Sequence, residues 1–284
     1  VSIGKNTIGI YSAALALASR IWKEKFYDED FAAKCLITAE KFYSLRNDVQ
    51  DIDTAFSNHY PEKDFNGKLA LASVELFNST NSEKYLSEAF EYGNKAGSDF
   101  WWSVGDINSL THYKIALHNP DFAEYIYQNL KHSKKTSDES FLREGLEYSW
   151  GTTNSFLGVS LQAILYKKLT GSNEFDSLNI YQRDYILGRN PWGISFINNI
   201  GTVFSKNLHS QVAFFNNGYL SGALTAGPAP SNLLEKYKIQ RLNNDNEFNS
   251  ADIKYFDDRM DYITNEPTIA GNATALFVFG VLSN

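Results

Sequence analysis

Four carboxylates, Asp257, Asp258, Asp261 and Glu266, fall within ten residues, interleaved with Tyr255, Phe256 and Tyr262. Pro267 follows, and it fits a first helical turn because its missing N–H costs nothing there. Beyond it, Ala270, Ala273, Leu276, Phe277, Phe279, Val281 and Leu282 make an almost wholly apolar segment. Such a helix is expected to be buried, with Glu266 at its entrance. There the helix dipole lowers a carboxyl pKa while desolvation raises it. A carboxyl group poised in that way suits proton donation to a leaving group. The competing reading is a surface turn whose acids only cap a helix.

The spacing shifts the balance between them. The run is aromatic, x, Asp, four residues, aromatic, three residues, Glu, x, Thr, three residues, Asn, Ala, filled here by Tyr255, Asp257, Tyr262, Glu266, Thr268, Asn272 and Ala273. On these positions the chain resembles glycoside hydrolase family 9, the cellulase family of inverting β-glucanases. The resemblance implies that Glu266 is the general acid and that Asp257 belongs to the active site. A second stretch is similar to the family's Gly, then His-x-Arg: Gly201 is followed by His209, but Gln211 stands in place of the arginine and Val203 in place of a polar residue. His209 and Gln211 are thereby placed beside the cleaved bond. Loss of a forked, charged donor at 211 removes bidentate hydrogen bonding, so that subsite is expected to favour a different sugar or a shorter chain.

Other stretches extend the likeness almost end to end. Tyr11 to Ala14 with Ala18-Ser19-Arg20 resembles an early core helix, and Phe31-Ala32 with Ala39-Glu40-Lys41 the helix after it. Lys63-Asp64, Leu69-Ala70 and Leu76-Phe77 resemble the next hairpin. Ser149-Trp150-Gly151, the run from Asp184 to Pro191, and Gly222 to Pro228 also resemble family segments. The fold implied is an (α/α)6 barrel of helical hairpins. The family's Asp-Ala-Gly-Asp motif, which supplies the catalytic base, is expected upstream of Val1, together with the remaining helices. The chain then reads as one domain, 1–284, the C-terminal two-thirds or so of a catalytic domain. Ser103-Val104-Gly105-Asp106 looks similar to that motif, but it falls between later helices and is a poor substitute.

The elements that must position these residues read as about nine helices with no strand alternation. Apolar residues recur with a 3.6-residue period over 7–26 and 31–45, the latter with Asp28 or Asp30 as cap. Further helices are expected over 69–77, 82–96, 110–118, 120–131, 156–169 and 177–187, with Gly171 and Gly188 ending the last two. Residues 47–64, containing His59, Tyr60 and Pro61, read as a long loop, and 131–139 as a charged, solvated linker. Periodicity is lost over 189–253, far beyond ordinary loop lengths. That segment is expected to line the site.

Composition narrows the class. The chain has 284 residues, 43% hydrophobic and 21% charged, with a net charge of −7 spread along it, which fits a globular protein and not a nucleic-acid partner. No apolar run reaches the ~18 residues of a membrane span, and the first residues do not read as a signal peptide. Cys35 is the one cysteine and sits on an apolar stripe, as a small core residue. Aromatic residues reach 15%. A sugar's C–H face packs on a ring, so Trp192, Trp150, Trp101 and Trp102 are candidate platforms, with Tyr255 and Tyr262 beside them; most aromatics should fill helix interfaces.

The five histidines, His59, His112, His118, His132 and His209, are scattered, which disfavours a metal hydrolase, and no Gly-x-Ser-x-Gly elbow is present. Calcium is an optional structural ion in the family, and no loop here has a specific ligand spacing. No cofactor is expected. The expected substrate is a β-1,4-glucan or cello-oligosaccharide, and the expected location is secreted or periplasmic. The rivals are a non-catalytic carbohydrate-binding or scaffold protein of the same fold, favoured by Gln211 and the missing base, and an exo-acting glucosaminidase-like relative.

Overall fold

A computed structural model of the chain describes residues 3–53, 62, 64–242 and 246–283. The chain divides into two compact units, Val1–Asp99 with Val104–Asn129, and Phe100–Ser103 with Leu130–Asn284.

The first unit consists of helical hairpins. Helices α1 (Lys5–Lys25) and α2 (Glu29–Ser44) pack on each other, and α1 also packs on α3 (Asn66–Thr80), which pairs with α4 (Glu83–Ala96). Asp28 starts α2 by accepting the Phe31 N–H at 2.9 Å. Asn81 ends α3 in the left-handed conformation that an asparagine tolerates. Leu69, Ala70, Ala72, Val74 and Leu76 make α3 the centre of this unit, completely buried. The same helix buries Glu75, whose carboxylate is held by Arg20 and by Lys114 Nζ at 3.0 Å. A buried acid is tolerable only when paired in this way. Helix α5 (Asn108–Ala116) and the first turns of α6 (Ala123–Glu139) complete the unit. Residues 131–139 continue α6 rather than forming a linker. Lys134 pairs with Asp138 at 2.7 Å one turn on, a spacing that stabilises a polar helix. Of the expected 47–64 loop, residues 54–61 and 63 lie outside the described residues, His59, Tyr60 and Pro61 among them.

The second unit is built on α7 (Thr152–Thr170), which packs against α8 (Asp176–Ile186) and α12 (Ile269–Leu282). Fourteen consecutive residues of α7, from Thr152 to Leu165, are buried. Gly158 is required there, because a Cβ at that position would lie 2.0 Å from Cγ of Trp102. Between α8 and α12 the described residues are mostly irregular, as their sequence indicates. Helices α9 (Gln211–Phe215), α10 (Ser231–Tyr237) and α11 (Tyr262–Asn265) interrupt it. Strands β1 (Ala229–Pro230) and β2 (Ile253–Lys254) pair antiparallel with Ala229 opposite Lys254. Asparagine side chains replace the missing ladder bonds. Asn190 Nδ2 donates to the Tyr185 and Ile194 carbonyls at 2.7 and 2.8 Å, and Asn198 Nδ2 donates to the Ser205 carbonyl at 2.9 Å. Buried backbone groups must be paired somewhere, and side-chain amides do it here.

All nine long helices expected from periodicity occur among the described residues, as α1–α8 and α12; three short ones add to them. Two expectations about α12 are corrected. Pro267 precedes the helix instead of opening it, since Thr268 is the cap and accepts the Gly271 N–H at 3.1 Å. The helix is not buried on all sides: Ile269 is 92% exposed, and Ala273, Leu276 and Gly280 continue that open stripe. Apolar composition identified the helix without identifying which of its faces has a partner in this chain.

Candidate active site

The acidic turn is a scaffold for a carboxylate, Glu266, that has no partner among the described residues. Asp261 Oδ1 accepts the Ile263 and Thr264 N–H groups at 2.9 and 3.1 Å, which caps α11. Its Oδ2 accepts Arg241 Nε at 2.6 Å, and the Arg241 guanidinium lies 4.1 Å from the centre of the Phe256 ring. Asp258 is also buried, and its Oδ1 accepts the Met260 N–H at 2.8 Å. Both therefore act structurally.

Asn265 is fully buried and pinned on several sides. Its Oδ1 accepts the Tyr255 hydroxyl at 2.7 Å, its Nδ2 donates to the Phe256 and Asp258 carbonyls, and its own carbonyl accepts the His209 N–H at 3.0 Å. Glu266 follows in an extended conformation, φ −76° and ψ 123°, between this anchor and the cap of α12. Its side chain is half-buried, and among the described residues it has no hydrogen-bond or ion-pair partner. A carboxyl group held at a fixed backbone position and left unengaged is what proton transfer to a ligand needs.

The other candidates divide into those that reach this site and those beneath it. Asp257 accepts the Lys206 N–H at 3.1 Å and the Asn207 N–H at 2.9 Å, tying the two irregular segments together. Burial raises its pKa, and those two N–H groups oppose the rise. His209 Nδ1 lies 2.8 Å from the Arg259 carbonyl, so this nitrogen carries the proton and Nε2 is the free atom. The His209 ring meets Tyr262 edge-on with centroids 5.8 Å apart, and Tyr262 packs against Trp150 at 5.7 Å. Both of these rings are half-buried and can be reached by a ligand. Gln211 is exposed at the start of α9.

Two expected substrate contacts are corrected. Tyr255 is 0% exposed, with its hydroxyl shared between Ser205 and Asn265; burial raises its pKa well above the ordinary tyrosine value. Trp192 is buried too, its indole N–H donating to Asn249 Oδ1 at 2.9 Å and its ring against Phe196 and Tyr255. Both support the floor of the site and leave no face for a sugar. Trp102 is likewise buried, whereas Trp101 is half-buried.

The signature's small polar positions also have local reasons. Asn272 Oδ1 accepts the Leu224 N–H at 3.0 Å, and its Nδ2 donates to the Thr268 carbonyl at 2.8 Å. Sequence reasoning passed over Asn265, Arg241 and Arg259. Asn265 lies between two specified positions, and a buried acid such as Asp261 signals that a cation must be near, but spacing does not say which one.

A cavity of about 320 Å³ is lined by Ser231, Leu234, Lys238, Arg241, Lys254 and Phe256 among others. No group of three or more potential metal ligands occurs among the described residues. Asp106 belongs to the first unit and Glu266 to the second.

The family model for glycosyl hydrolase family 9 matches residues 2–279. The chain belongs to that family. Endoglucanase A of Bacillus pumilus is 26% identical over 287 residues, covering 92% of this chain and 42% of that protein. The xyloglucan-specific endo-beta-1,4-glucanase of Bacteroides ovatus is 23% identical over 296 residues, covering 93% and 49%. Among solved structures, the family 9 endoglucanase J30 superposes with a TM-score of 0.81 at 19% identity, covering 99% of this chain and 55% of that one. The cellulase Cel9M of C. cellulolyticum in complex with cellobiose gives 0.74 at 22%, covering 98% and 64%. The all-α, (α/α)6-type fold class expected from the sequence is thus established. The chain spans about half the length of the curated relatives it matches.

Proposed function

We propose that the protein carrying this chain hydrolyses a β-1,4-linked glucan or its oligosaccharides, with Glu266 as the general acid. The observation that carries this reading is the Glu266 carboxylate, unengaged and half-buried, fixed between the pinned Asn265 and the capped α12. Family membership and the printed activities of relatives, endoglucanases and a xyloglucan-specific glucanase, support the substrate class.

Protonated Glu266 donates to the departing glycosidic oxygen, and a second carboxylate about 6.5–9.5 Å away deprotonates water on the opposite face of the ring, inverting the anomeric centre. Asp257 is engaged by the 206–207 backbone, so its role is to hold that segment against the acidic turn. In this reading the base is the aspartate that the family's Asp-Ala-Gly-Asp motif supplies. His209, through Nε2, and Gln211 contact sugar hydroxyls, and Tyr262 with Trp150 offers ring faces. A secreted or periplasmic location fits a polymeric substrate; among the described residues no helix is long and apolar enough to cross a membrane.

The test is release of reducing sugar from β-glucans by the whole protein and by Glu266→Gln. Loss of at least ~10²-fold in kcat is expected, the scale of a general acid's contribution. Unchanged turnover in Glu266→Gln removes this residue from the mechanism.

A further inference from the structure

The strip of surface running outward from Glu266 is built from groups that the acid–base chemistry leaves unused. Glu266 follows Asn265, whose carbonyl accepts the His209 N–H; His209 Nδ1 donates to the Arg259 carbonyl; and the Arg259 guanidinium lies 5.3 Å from the centre of the Phe214 ring. Phe214 is on α9, three residues after Gln211, so the two share a helix face. It is 59% exposed.

Each of these features is costly or idle without a ligand. An exposed phenylalanine keeps apolar surface in water. The Arg259 side chain is exposed and has no hydrogen-bond or ion-pair partner among the described residues. The two nearest acids in sequence cannot serve it, because Asp258 and Asp261 are buried and already engaged by backbone N–H groups and Arg241. A forked donor beside a flat apolar ring, with the Gln211 amide on the same helix face, matches a pyranose: C–H groups against the ring, adjacent equatorial hydroxyls against the fork.

We propose that Phe214 and Arg259 form a sugar-binding clamp that takes a glucose residue of the substrate beyond those at Glu266 and His209, with Gln211 completing it. This inference rests on the glycosidase reading above and deepens it. It also predicts that the clamp sets preference for chain length, because only an oligosaccharide long enough to pass His209 gains the Phe214 contact.

The test uses the full chain carrying Glu266→Gln, with cellobiose and cellotetraose as probes in isothermal titration. Phe214→Ala and Arg259→Ala are each expected to weaken cellotetraose binding about tenfold, the scale of a lost charge-assisted hydrogen bond, and to leave cellobiose binding within about twofold. Val212→Ala, at an exposed apolar residue of the same short helix, is expected to leave both unchanged. Equal cellotetraose affinity in the Phe214 and Arg259 variants, or no binding to the parent, overturns the clamp. So does a Phe214→Ala change in association state with sugar binding intact, which would make the patch a protein contact. Full activity of Glu266→Gln overturns the acid assignment while leaving the binding result readable, so the two failures are distinct.

Discussion

Replacing Asp261 with alanine should cost far more than a surface acid would. Its side chain is 0% exposed, caps α11 through two backbone N–H groups, and pairs with an Arg241 whose side chain is 9% exposed. Loss of the cap is worth ~1 kcal/mol. Stranding the buried guanidinium is worth ~3–5 kcal/mol, since it is shielded from water; its Nη2 already has no hydrogen-bond partner among the described residues. Asp261→Ala is therefore expected to lose ~4–6 kcal/mol, against a total of roughly 5–15 for a domain. Asp261→Asn keeps an oxygen for the cap and loses only the charge, so it should lose ~3 kcal/mol, and adding Arg241→Met should restore most of that. Urea unfolding followed by tryptophan fluorescence reports on the relevant unit, because Trp101, Trp102, Trp150 and Trp192 all belong to it. An Asp261→Ala loss below ~1 kcal/mol would refute the reasoning, as would an Asn variant that Arg241→Met fails to rescue.

Two further perturbations follow from burial and packing. Burial pushes the Asp99 carboxyl up to about 6, against an ordinary value of 3.8, with Asp106 adding to the rise. Its stability contribution is then full below about pH 4 and is lost as pH rises through about 6, by ~3 kcal/mol at most. Asp99→Asn should remove that downward slope, and a pH profile parallel to wild type would contradict it. His112, lowered to about 4 by burial, contributes stability that is lost as pH falls through that value, so the Asp99 effect must be read as a difference between the two proteins. Gly158→Ala should lower the thermal midpoint of the second unit by several degrees, since the added methyl would overlap Trp102. An unchanged midpoint would show that Trp102 can move aside.

Local spacing made much of the site legible. The positions of Tyr255, Asp257, Tyr262, Glu266, Thr268 and Asn272 follow one another within a turn, a short helix and a cap, where short-range hydrogen bonds set the geometry. The nine long helices were legible for a similar reason: a 3.6-residue period is written within each segment. Residues 131–139 were misread because a polar helix stabilised by neighbouring charges carries no apolar stripe.

Burial and partnership were decided only by the tertiary structure. Tyr255 and Tyr262 look alike in the sequence, yet one is sealed beneath the turn and the other meets His209. Asp257, Asp258 and Asp261 likewise differ by what the chain brings back to them: the 206–207 backbone, the Leu242 N–H, and Arg241. The sequence by itself determined the nine long helices and the family, and it singled out Glu266 as the candidate acid, because those signals are encoded in nearest neighbours along the chain. Which aromatics face a ligand, which acids are spent on structure, and where Arg259 finds Phe214 depend on contacts across some 45 residues of irregular chain, and no period encodes them.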